Sequence, residues 1–114
     1  MLRAFLVVVL LAVAGAAQAQ NELHDVGCGG EYRLRSLEDT KPAEVIFFNQ
    51  STRTIRTYWL DHEGRREFKS EIPPGDSFVQ QTYVTHPWVV TSSKTKDCVG
   101  IYQPESSSSI VVVH

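Results

Sequence analysis

Residues 83–90 read YVTHPWVV, which places an imidazole and an indole two positions apart. In an extended chain His86 and Trp88 share a face. Such a pair can be one half of a ligand pocket, with a ring wall and a hydrogen-bonding nitrogen. It can equally be a core Trp with a satisfied neighbour. Other chemistry-bearing residues are sparse. The four histidines are His24, His62, His86 and His114, and no two show metal-ligand spacing. His24 lies four residues before Cys28, but there is no C-x-x-C and no histidine beside Cys98, so no metal site is expected. Asp61-His62-Glu63 falls among turn residues and reads as solvated rather than catalytic. No nucleophile-elbow context is present. A non-enzymatic protein without a cofactor is expected. Arg53, Arg56, Arg65 and Arg66 read as a solvated face.

The elements that would hold these residues are short strands. Runs with strand character cover 32–37, 44–48, 53–60, 77–83, 86–91, 98–102 and 110–113. Turn chemistry separates them, as in Asn49-Gln50-Ser51 and Pro73-Pro74-Gly75-Asp76. Helix signals are nearly absent. This spacing predicts an all-β fold, an antiparallel β-sandwich of seven or eight strands. Val45, Phe47, Ile55, Val89 and Ile101 are core candidates on pattern alone, and Trp59, taken singly, also reads as core.

Compartment is written in the first residues. Arg3 precedes a wholly apolar run, residues 4–14, and Ala17-Gln18-Ala19 gives an A-x-A cleavage site. Residues 1–19 are therefore expected to be a signal peptide, cleaved near Ala19, and the mature protein secreted or periplasmic with no membrane segment. The mature chain carries 10 Lys and Arg against 13 Asp and Glu. That balance argues against a nucleic-acid partner. In an exported chain, Cys28 and Cys98 are expected to form a disulfide. Asn49-Gln50-Ser51 is also a glycosylation sequon, useful only in a eukaryotic host.

Taken together, the chain resembles the von Hippel-Lindau β-domain family. The residues that carry the resemblance are Leu34-Arg35-Ser36, Pro42, Val45-Ile46-Phe47, Asn49, Ser51, Trp59-Leu60, Gly64, Pro73-Pro74-Gly75, Tyr83, His86 and Trp88. They align without a gap from about residue 34 to 90, and more loosely to 113. The resemblance implies a sandwich over 31–114, preceded by an N-terminal segment, 20–30. It implies a peptide or protein ligand bound as an extended strand and carrying 4-hydroxyproline. Trp59 and Trp88 would wall the pocket. His86 and Thr82 would hydrogen-bond the prolyl hydroxyl, and Tyr83 would border the site. Lys69 stands where the family has a tyrosine, and Gln81 where it has a histidine. Phe68 should point away from Lys69 in a regular strand. The family's helical domain, which recruits ubiquitin-ligase partners, is not expected here, so those partners are not expected either. The resulting expectation is a secreted binding module for an extended peptide with proline or hydroxyproline. The alternative is a structural accessory domain with both indoles in the core.

Overall fold

The computed structural model describes residues 21–114. The expected signal peptide lies outside the described residues. A short 3-10 helix, Cys28–Arg33, precedes seven strands: β1 Pro42–Asn49, β2 Ile55–Leu60, β3 Arg66–Ile72, β4 Ser77–Tyr83, β5 Trp88–Ser92, β6 Cys98–Tyr102 and β7 Ser108–Val113. One sheet has the order β4-β1-β7 and the other β3-β2-β5-β6. All pairings are antiparallel except β1 with β7.

Alternation places the core. Along β1 every second residue turns inward, so Ala43, Val45, Phe47 and Asn49 are buried. Val111 and Val113 join them from β7. They pack with Ile55, Ile72, Trp88, Val90 and Tyr102 of the other sheet. All five residues of β5 are buried, because this sheet is covered on both faces. Its outer face carries Leu60, Val89 and Ile101, with Leu34 of the N-terminal segment packed on them. The disulfide Cys28–Cys98 clamps that segment onto β6, and Arg66 makes two hydrogen bonds to Glu31 at 2.7 and 2.8 Å, tying it to β3.

Three sequence expectations change. Residues 32–37 are not a strand. They end the 3-10 helix and then run extended as a cover, with Ser36 N–H donating to Asp61 O at 3.1 Å. The run at 86–91 begins later, at Trp88, because His86 closes a turn in which its N–H reaches Tyr83 O at 3.2 Å. A strand absent from the sequence list, β3, occupies 66–72; it is an edge strand with five of its seven residues exposed.

Asn49 is a structural pin. It is buried, its Nδ2 donates to Arg53 O (2.7 Å) and Ile72 O (2.9 Å), and its Oδ1 accepts from Ser51 N and Oγ. With every hydrogen-bonding group of the amide in use, the sequon has no room for a glycan in the folded chain. The turn at residues 73–76 closes through Asp76 N–H to Pro73 O, with Gly75 at φ 83. A type II turn needs a residue tolerant of positive φ there, which glycine is.

Candidate functional site

Trp59, near the end of β2, lies directly opposite Trp88, the first residue of β5. The sandwich treats the two indoles differently. Trp88 is 2 % exposed, its ring 6.0 Å from Phe47, and its Nε1–H donates to Thr82 Oγ1 at 3.0 Å. Trp59 is half-buried. Its Nε1–H faces two acceptors, Ser36 Oγ at 2.7 Å and His86 Nδ1 at 3.1 Å. Ser36 Oγ donates in turn to Leu60 O at 2.7 Å. The indole is thus held from behind by the N-terminal cover.

His86 is 3 % exposed and stacks on Trp59, with ring centroids 5.7 Å apart. An indole N–H is a donor only, so Nδ1 is an acceptor and Nε2 carries the proton. That N–H points at Glu38 O (2.6 Å) and Asp39 Oδ1 (2.8 Å). The backbone that delivers His86 is unusual. Thr85 has φ 77, a conformation costly for a β-branched residue. Three contacts fix it: Thr85 N–H to Pro104 O, Gln103 Nε2 to Thr85 O, and Val84 N–H to Lys41 O.

An open cleft of about 220 Å³ results, and Trp59, Lys69, Thr82, Tyr83, His86 and Trp88 all line it. Trp88 supplies its floor, and Trp59 and Tyr83, whose ring lies 5.2 Å from His86, supply its sides. Lys69 falls at the bulge in the β2–β3 pairing, where Thr57 opposes Ser70 but Tyr58 opposes Phe68. Its Nζ lies 5.6 Å from the Trp59 ring centroid and 2.6 Å from Glu67 Oε2, so a cation covers the indole. Phe68 packs on Tyr58 and is not among the lining residues. Gln81 lines the rim and donates from Nε2 to Glu44.

Three further lining residues were not expected from the sequence, Gln80 on β4 and, from two loops, Asp39 and His62. The Asp61 carboxylate accepts from the N–H groups of Arg65 (2.8 Å) and Glu63 (2.9 Å). The Arg65 hydrogen bond is the largest of the influences holding its carboxyl below the usual range. The tight turn so formed places the His62 ring edge-on to Trp59. Neither Asp39 nor His62 has a local sequence signature; they meet through loops 23 residues apart.

A family model described as VHL beta domain matches residues 34–107. This chain belongs to the VHL β-domain family. The match begins at the residue that covers the second apolar cluster and runs to the edge of β7, so it takes in every cleft residue named above. The VHL β domain is a binding domain that recognises hydroxyproline-bearing substrates rather than a catalytic one.

Proposed function

We propose that the mature protein is an exported binding module that takes an extended peptide along β4 and seats a proline or 4-hydroxyproline ring in the cleft. The state of the sheet edges carries this reading. β7 is covered by the N-terminal segment, with Leu23 N–H on Ile110 O and Ile110 N–H on Asn21 O. β6 is covered by Val26 and Asp25, which bond to both sides of Ile101. β3 is bulged and studded with charge, a usual defence of an edge. Among the described residues only β4 presents an unblocked edge, and it exposes Phe78 and Val79 beside the cleft. An added strand would find backbone partners there and a ring pocket at one end.

Within the cleft the ring would lie between the Trp59 and Tyr83 side chains, with Trp88 below. Its hydroxyl would accept from Thr82 O–H and donate to His86 Nδ1. Trp59 makes that possible, because its N–H can rest on Ser36 Oγ alone and release His86. A paired hydroxyl is discriminated from its absence, since the receiving groups otherwise stay partly unsatisfied. Cys28–Cys98 is compatible with an extracellular location.

Calorimetry with a proline-rich peptide and its 4-hydroxyproline twin tests the reading. The hydroxylated peptide should bind tighter by about 1–3 kcal/mol, the worth of a hydrogen bond to a buried group. No binding of either peptide at millimolar concentration sinks it. That outcome would favour a structural accessory domain, the reading to which the burial of Trp88 and its internal hydrogen bond belong.

A further inference from the structure

We propose that Asp39, His62 and His86 form a binding site for a zinc-type divalent cation at the mouth of the cleft. Asp39 Oδ1 lies 2.8 Å from His86 Nε2 and 3.1 Å from His62 Nε2. One ligand atom from each residue falls within 4.8 Å of the other two. In a tetrahedral zinc site, with bonds near 2.1 Å, neighbouring donor atoms sit roughly 3.4 Å apart. The observed spacing needs a small outward shift of Asp39, whose side chain is 52 % exposed and free to make it, and the release of the His86 Nε2–H hydrogen bond to Glu38 O.

The donor set selects the ion. Two imidazoles and one carboxylate suit zinc, and also copper and nickel, whereas calcium and magnesium prefer all-oxygen shells. Three protein ligands leave a fourth position, and here it opens into the cleft, where water or a ligand oxygen can fill it. His86 is fixed in advance by burial and by its stack on Trp59. His62 stands edge-on to both rings, at 5.6 Å from Trp59 and 5.8 Å from His86. In the described residues its one hydrogen-bond partner is Asp39.

Cation binding has a built-in reporter. When Nε2 takes the ion, its proton passes to Nδ1, which then faces the Trp59 N–H as one donor against another. Trp59 must settle on Ser36 Oγ, so the indole changes its hydrogen bonding. The spacing 39, 62, 86 resembles no linear metal motif, which is why the histidines read as unrelated along the chain.

The probe is zinc ion alone, so the result does not depend on any peptide. The oxidised domain is titrated by calorimetry and tryptophan fluorescence, alongside His62→Ala, Asp39→Asn and the distant control His24→Ala. Circular dichroism verifies that each variant is folded, and the two cleft variants test the site through separate loops. One zinc per chain is expected, with a change in Trp59 emission. Affinity should fall by at least about tenfold in each cleft variant and stay unchanged in the control. No zinc uptake at submillimolar ion, or equal uptake by His62→Ala and Asp39→Asn, overturns the proposal.

Discussion

Ser36 carries more of the site than its size suggests. Its hydroxyl accepts from Trp59 and donates to Leu60 O, and it is 2 % exposed. Ser36→Ala removes both bonds and leaves a buried carbonyl without its side-chain donor. A loss of about 1–3 kcal/mol is expected in urea unfolding. Trp59 N–H then depends on His86 alone, so discrimination between the hydroxylated and plain peptides should shrink as well. A variant with wild-type stability and unchanged tryptophan emission would show that Ser36 does not hold the indole. In the sequence Ser36 stands out only as one residue of a strand-like run and of a family resemblance, with no role attached to its hydroxyl. The six residues expected to contact a ligand were drawn from the same resemblance, and the structure gathers all six around one cleft. Asp39 and His62 were not legible, because their chemistry appears only when two loops meet over Trp59. The His86–Trp88 spacing predicted a shared strand face; the two reach the same cleft by another route, one from a turn and one from the strand that follows it.

At the scale of elements, the turn before β5 stores strain. Thr85 is exposed and at φ 77, so its side chain contributes little packing to offset the conformation. Strain of this kind costs on the order of 1–3 kcal/mol, and a glycine would remove it while adding somewhat to the entropy of the unfolded chain. Thr85→Gly should therefore stabilise the domain by roughly 1 kcal/mol. Thermal unfolding checks this, and a destabilised variant would mean the turn is not strained. The looser turn should also weaken any ligand that needs His86 held in place. The strands themselves were unevenly legible. β1 and β7 alternate cleanly because one face is buried. β3 was overlooked because an edge strand rich in Arg, Glu and Lys has little apolar pattern to read. Residues 32–37 mimicked a strand because Leu34 and Ser36 both point at the sheet they cover. The total of seven strands was thus reached with one element misplaced.

For the molecule as a whole, the disulfide is the covalent tie between the N-terminal cover and the sandwich, joining residues 70 apart. In the loop-entropy picture such a closure stabilises by roughly 4 kcal/mol. Thiol titration of the denatured, unreduced protein should find no free thiol. Reduction should move the urea midpoint sharply down, and it should do more than destabilise. The 3-10 helix would loosen from β6, taking with it Leu34 and Ser36, so Trp59 emission should shift before global unfolding. Coincident transitions by fluorescence and circular dichroism would instead place the cover and the sandwich in one cooperative unit.

The parallel pairing of β1 with β7 has a bearing on how the protein is made. β1 is complete once residue 49 has left the ribosome, yet its parallel partner spans 108–113. The N-terminal segment waits longer still, since its hydrogen bonds are to Ile110. Until the last strand emerges, β1 has β4 on one side and bare backbone on the other. The three-stranded sheet therefore cannot close before residues 108–113 have emerged, and until then one edge of β1 stays unpaired. Whatever meets the chain before residue 108 emerges finds β1 with a bare edge, a template for any strand that comes by.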